Sequence, residues 1–189
     1  MRRQGPQPTN KRDQDTADRP AGDREPPFGG DEAETLPIRI ARDGQWYYRD
    51  SPIRRVELVR LFSTALRRDE AGRYWLQTPT ERGLIEVEDA PFTAVELAVE
   101  GQGQSMALRF RNNLGEWVTA GRDHPISMTI DADTGEPSPY ILIRNGLQAL
   151  IVRSVFYQLV DLAVPAQRAG HEVLGVWSNG VFFELGEYE

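Results

Sequence analysis

The chain has 189 residues, 39% of them hydrophobic and 27% charged, a composition that suits a packed core in one domain or two small ones. No apolar run approaches the roughly 20 residues needed to cross a bilayer, and a formal net charge of −7, with Lys11 the only lysine, argues against non-specific nucleic-acid binding. Zero cysteines exclude disulfides, thiolate metal sites and cysteine nucleophiles, and no charged n-region precedes an apolar h-region, so the expected compartment is the cytoplasm.

Residues 1–36 are crowded with Pro, Gly, Arg, Asp and Glu and hold one aromatic, Phe28. They offer too little apolar surface to offset the entropy of ordering and read as a disordered tail. Charges of both signs make the tail unlike a polybasic arm, and Phe28 packing onto the body is the alternative weighed for it. Pro37–Ala41 reads as a strand, Asp43-Gly44 as a tight turn and Trp46–Tyr48 as the returning strand. Ser51-Pro52 supplies an N-cap and a first helical residue. Leu58, Val59, Phe62, Ala65 and Leu66 then mark the core face of a helix over Ile53–Arg67. Arg73–Gln77 and Leu84–Glu88 flank the turn-rich link Thr78–Gly83 and close a first unit, 37–93.

The second unit, 94–189, opens with short alternating segments at Val95–Val99, Met106–Arg111, Trp117–Ala120, Ile126–Ile130 and Tyr140–Ile143, which read as an antiparallel meander. A second helix is expected over Leu147–Ala163. Its sole charged side chain from Leu147 to Val160 is Arg153, and apolar residues on most sides predict burial. A buried arginine stays charged, so it requires a carboxylate, several carbonyls or an anionic ligand. Val173–Trp177 and Val181–Leu185 form a closing hairpin. Helix followed by hairpin is thus written twice, in Tyr47–Glu88 and Tyr140–Gly186. The expected class is α+β, two duplicated units with antiparallel sheets, and a ligand is expected where the copies meet.

No P-loop, Gly-x-Gly-x-x-Gly, Gly-x-Ser-x-Gly or His-Glu-x-x-His pattern is present. His124 and His171, in predicted loops, read as surface residues, so no catalytic residue, metal or cofactor is assigned. Glu86 and Glu88 share one strand face and read as solvated; Asp89 is balanced between capping a turn and a functional role, as one of an acid/base pair or as an arginine partner. Glu57 and Arg60 read as a surface ion pair. Arg144 ends the strand that enters the second helix, and Arg153 is balanced between a structural pair and a ligand contact. Trp46, Tyr74, Tyr140, Tyr157 and Trp177 read first as core, with Tyr140 and Trp177 also beside turns where a ring can stack. Asn112-Asn113 reads as a turn pair whose amides suit an amide or base edge.

Arg39–Tyr48, Ser51–Arg55, Leu58–Ser63, Glu88–Phe92 and Gly146–Tyr157 together resemble a bacterial family of unknown function, DUF1285, over residues 36–186. The resemblance implies a duplicated core, a second domain superficially like a pleckstrin-homology fold, and a cleft between domains for a nucleotide-like ligand in signal transduction. Positions matching the family pattern and able to meet an anionic or aromatic ligand are Arg60, Tyr74, Glu81, Asp89, Asn112, Tyr140, Arg144, Arg153 and Tyr157. The expectation is a non-enzymatic protein binding a small anionic ligand, with no nucleic-acid or membrane partner. The alternatives are a protein-interaction module presenting a sheet edge or helix groove, and an enzyme using Glu81 and Asp89 as acid and base.

Overall fold

A computed structural model describes residues 34–78, 82–131 and 134–187. The tail reading for residues 1–33, Phe28 included, and the candidate Glu81 lie outside the described residues. Strand structure begins at Thr35, inside the stretch read as tail.

The first unit holds β1 (Thr35–Ile40), β2 (Trp46–Tyr48), β3 (Ser51–Pro52), helix α1 (Val56–Thr64), β4 (Leu66–Arg68), β5 (Tyr74–Gln77) and β6 (Arg82–Val87). The second holds β7 (Phe92–Glu100), β8 (Ala107–Asn112), β9 (Trp117–Thr119), β10 (Ile126–Ile130), β11 (Pro137–Arg144), β12 (Leu147–Ile151) and helix α2 (Arg153–Asp161). It continues into β13 (Val164–Arg168), β14 (His171–Ser178) and β15 (Val181–Glu187). Strands dominate among the described residues, so the α+β expectation is corrected toward β: the two helices are nine residues each.

Both expected helices start later than the sequence pattern suggested. Ser51-Pro52 does not cap α1. Arg49 and Asp50 both take positive φ, 45° and 62°, and turn the chain back in two residues so that Ser51 pairs with Tyr48. The α1 N-cap position falls to Arg55, which makes no side-chain cap bond. Asn145-Gly146, with φ of 45° and 76°, likewise returns β11 into Leu147–Ile151, which is a strand and not the first turns of a helix. An apolar run fits either period, and here burial alternates along it, with Leu147, Ala149 and Ile151 buried. Arg153 is therefore the first residue of α2 and exposed, and Tyr157 is exposed as well; neither is in the core.

The duplication is present in a different frame. The first sheet runs β3-β2-β1-β6-β5-β4, and the second, taken from its far edge, runs β9-β8-β7-β12-β11-β10. Each is two three-stranded meanders joined by a parallel pair, β1 with β6 and β7 with β12, so the first and last strands of each six-stranded sheet sit at its centre. α1 connects the meanders only in the first unit; α2 and the three-stranded sheet β13-β14-β15 are additions to the second.

One buried cluster runs through both units, from Ile40, Trp46 and Leu66 to Phe92, Phe110, Ile141 and on to Val176 and Phe183. Phe62 of α1 stacks on Trp46, ring centres 6.3 Å apart, and Val155 and Leu159 bury the inner side of α2. The third sheet is fastened to the second by the buried Ser178 hydroxyl, which accepts from the Leu108 amide at 2.9 Å and donates to the Ala120 carbonyl at 2.7 Å. No helix among the described residues is long and apolar enough to cross a membrane.

Candidate functional site

The first unit grips the second through the turn between β8 and β9. Asn112, fully buried, accepts at its Oδ1 from the Leu114 and Glu116 amides at 3.0 and 2.9 Å, folding residues 112–116 into a tight loop. The Asn113 side-chain Nδ2 donates to the Gly44 carbonyl at 3.2 Å, and Arg60 Nε of α1 donates to the Leu114 carbonyl at 2.8 Å. Arg60 thus spends a donor across the interface, and no ion pair with Glu57 forms among the described residues.

Facing it, Arg144 at the end of β11 pairs with Glu116, donates from Nη2 to the Ser63 carbonyl at 3.0 Å and lies 5.2 Å from the Phe92 ring centre. Arg67 donates from Nη1 to the Thr64 and Leu66 carbonyls, both at 2.8 Å, where α1 ends. Arg60, Arg67, Arg144 and Glu116, with Ser63 and Thr64, line a cleft of about 350 Å³ between the units.

A second cleft, of about 340 Å³, opens elsewhere on the interface and is lined by Arg42, Glu136, Ser138, Arg153 and Phe156. Beside it, Asp89, in the link between the units, ties them together. The Tyr140 hydroxyl donates to Asp89 Oδ1 at 2.7 Å, and Arg42 Nε lies 3.2 Å from Oδ2. Burial pushes the Tyr140 phenol up to about 12, and the Asp89 carboxylate that it bonds adds to the rise. Asp89 is therefore an arginine partner, one of its expected roles, and Glu88 also has one, Arg39.

Of the residues singled out in the sequence, Arg60 and Arg144 come together in the first cleft. Asn112 stands behind it with its carbonyl committed to the loop. Asp89 and Tyr140 bond one another, and Arg153 lines the second cleft without an ion pair among the described residues. Tyr74, half-buried on β5 under Arg68, and Tyr157 line neither cleft. Burial raises the Tyr74 phenol, with Arg68 opposing and Asp89 adding. Arg42, Arg67 and Glu116 escaped the sequence reading. Arg67 is the last residue of the expected helix Ile53–Arg67, and nothing local marks Arg42 or Glu116. Among the described residues no group of His, Cys, Asp or Glu is arranged to hold a metal ion.

Two family models match: "Domain of unknown function (DUF1285), N-terminal domain" over residues 23–90 and "Protein of unknown function (DUF1285), C-terminal domain" over residues 91–185. No curated protein matches. A DUF1285 family protein from Silicibacter pomeroyi DSS-3 superposes with a TM-score of 0.74 at 46% identity, covering 82% of this chain and 81% of that one. A DUF1285 family protein from Shewanella baltica OS155 superposes at 0.53 and 25% identity, covering 67% of this chain and 91% of that one. With both domains matched and such a relative aligned along most of its length, the chain belongs to the DUF1285 family.

Proposed function

We propose that this is a non-enzymatic cytoplasmic protein whose first inter-unit cleft takes a small anionic ligand of nucleotide-like chemistry, in a signalling role. One observation carries the reading. In a chain of net charge −7, guanidinium groups from both units line one cleft against a single carboxylate, Glu116, among the described lining residues. Arg144 already holds that carboxylate. Arg60 and Arg67 donate to main-chain oxygens, which satisfy donors without cancelling charge, so the cleft keeps a positive potential that suits a phosphate or carboxylate. The pleckstrin-like character expected of residues 94–189 belongs to the same reading: a sheet antiparallel but for its central β7–β12 pair, followed by a helix, a likeness that carries no lipid binding with it.

A ligand that spans the cleft touches α1 on one side and the β11–β12 turn on the other, so occupancy couples to the relation between the units. The test is a thermal-shift series on the whole chain with phosphate, pyrophosphate and nucleoside mono-, di- and triphosphates. A ligand at 100 times its Kd stabilises by about 2.7 kcal/mol, which in a chain of this size raises Tm by about 5–10 °C. The expected result is a selective rise that falls in Arg60→Gln and Arg67→Gln. No rise with any of these probes overturns the reading.

A further inference from the structure

Each of the three sheets ends in two edges, and most of these are protected. β3 is two residues long and includes Pro52; β4 carries Arg67 and Arg68 in three residues; β9 is three residues; β13 holds Pro165 and Arg168. β15 carries Glu184 and Glu187. Short length, prolines and charges are the usual means of keeping an edge from pairing with foreign strands. β10 has none of them: Ile126-Ser127-Met128-Thr129-Ile130 is five residues without a charge or a proline.

The register fixes which of its main-chain groups are free. β10 meets β11 with Met128 opposite Pro139 and Ile130 opposite Pro137. Prolines have no N–H, so these are non-hydrogen-bonded pairs. The Asp131 amide bonded to the Glu136 carbonyl at 3.0 Å, and the Leu142 amide to the Pro125 carbonyl at 3.1 Å, continue the bonded set at the intervening positions. The N–H and C=O groups of Ile126, Met128 and Ile130 therefore point away from β11.

They point to a groove of about 720 Å³ between β10 and β15, lined by consecutive residues of both strands, Ile126–Met128 and Phe182–Glu187. A strand face exposes alternate residues, so consecutive lining marks an edge. No pairing joins β10 to β15, and Ile130 stands 69% exposed at the rim. Glu184 and Glu187 line the groove, and no basic side chain does among the described residues.

We propose that β10 is a strand-addition site for an extended segment of a partner protein, with apolar residues at alternate positions and Lys or Arg between them. A strand laid along five residues spans about 17 Å. It bonds the outward groups of Met128 and Ile130 at the open part of the groove, Ile126 being buried, and sets its cations against Glu184 and Glu187. Charge selects the occupant: a second copy pairing here brings its own Glu184 and Glu187 to the same seam, where like charges repel.

The test titrates the isotope-labelled whole chain with a capped Lys-Val-Lys-Val-Lys-Val-Lys peptide and follows amide resonances. Shifts confined to residues 126–130 and 182–187, about tenfold weaker binding of the Glu-Val counterpart, and loss of binding in Ile130→Pro at an unchanged Tm are the expected results. Ile130→Pro removes one outward N–H and leaves the β10–β11 ladder intact; Glu184→Lys with Glu187→Lys is a second variant expected to weaken binding without touching β10. The proposal is overturned by no shift at millimolar peptide, by equal affinity in Ile130→Pro, or by β10 amides that exchange slowly in the free chain, which would mean that a second copy or another part of this chain already covers the edge.

Discussion

Arg144 donates to the main-chain oxygen of Ser63 at 3.0 Å, tying the β11–β12 turn of the second unit to the helix end of the first. The same guanidinium pairs with Glu116 and lies over Phe92, so one side chain joins α1, the β8–β9 loop and the start of β7. Both partners of the ion pair are partly exposed, which screens it, and the main-chain bond carries more weight. Arg144→Ala is expected to lower stability by about 1–3 kcal/mol. Arg60→Gln, at an exposed position, is expected to cost less. Urea unfolding of both variants checks the order.

The Tyr140 phenol ionises near 12 in the folded chain, against an ordinary value of 10.0. A raised folded value means that the proton is held more tightly in the native state. The associated stability is whole below pH 10 and lost as pH rises toward 12. Ultraviolet titration is expected to show a late-ionising tyrosine that Tyr140→Phe removes. The same variant flattens the alkaline limb of the stability curve.

Asp69 is the acid counterpart. Burial pushes its carboxyl up, but the Trp75 indole, the Arg73 amide and the Arg73 guanidinium together outweigh that and hold it at about 2, against 3.8 ordinarily. Here the depressed value makes the stability present above pH 4 and lost as pH falls toward 2. Asp69→Asn is expected to be less stable at neutral pH and to show a shallower acid limb in urea melts from pH 2 to 6.

At the bulge between Leu174 and Gly175, a Cβ on Gly175 would stand 2.4 Å from the Phe183 carbonyl and 2.5 Å from the Phe182 ring. The first contact is backbone and cannot swing aside. Gly175→Ala is expected to cost about 1–3 kcal/mol, through overpacking and not through backbone conformation, measured as a drop in Tm.

The strands β2, β5, β8 and β14 were readable because alternation and flanking turns agree. The Asn145-Gly146 turn was also written in the sequence, as a recognised hairpin signal, and the long apolar run after it drew the reading toward a helix. Arg49-Asp50 carries no comparable signal: two charged residues adopt positive φ because strand pairing holds them there. Arg60 and Arg144 stood out as cations beside apolar segments. Arg42, Arg67 and Glu116 could not, since their roles come from chain segments far away in sequence.

The parallel pair at the centre of each sheet sets an order of assembly. β1 cannot pair with β6 until Val87 has been made, nor β7 with β12 until Ile151 has, so each sheet is closed by its own final strand. Such long-range closure is slow. On a ribosome the first unit is complete while the second is still emerging, and its surface is there as a template when the β8–β9 loop arrives.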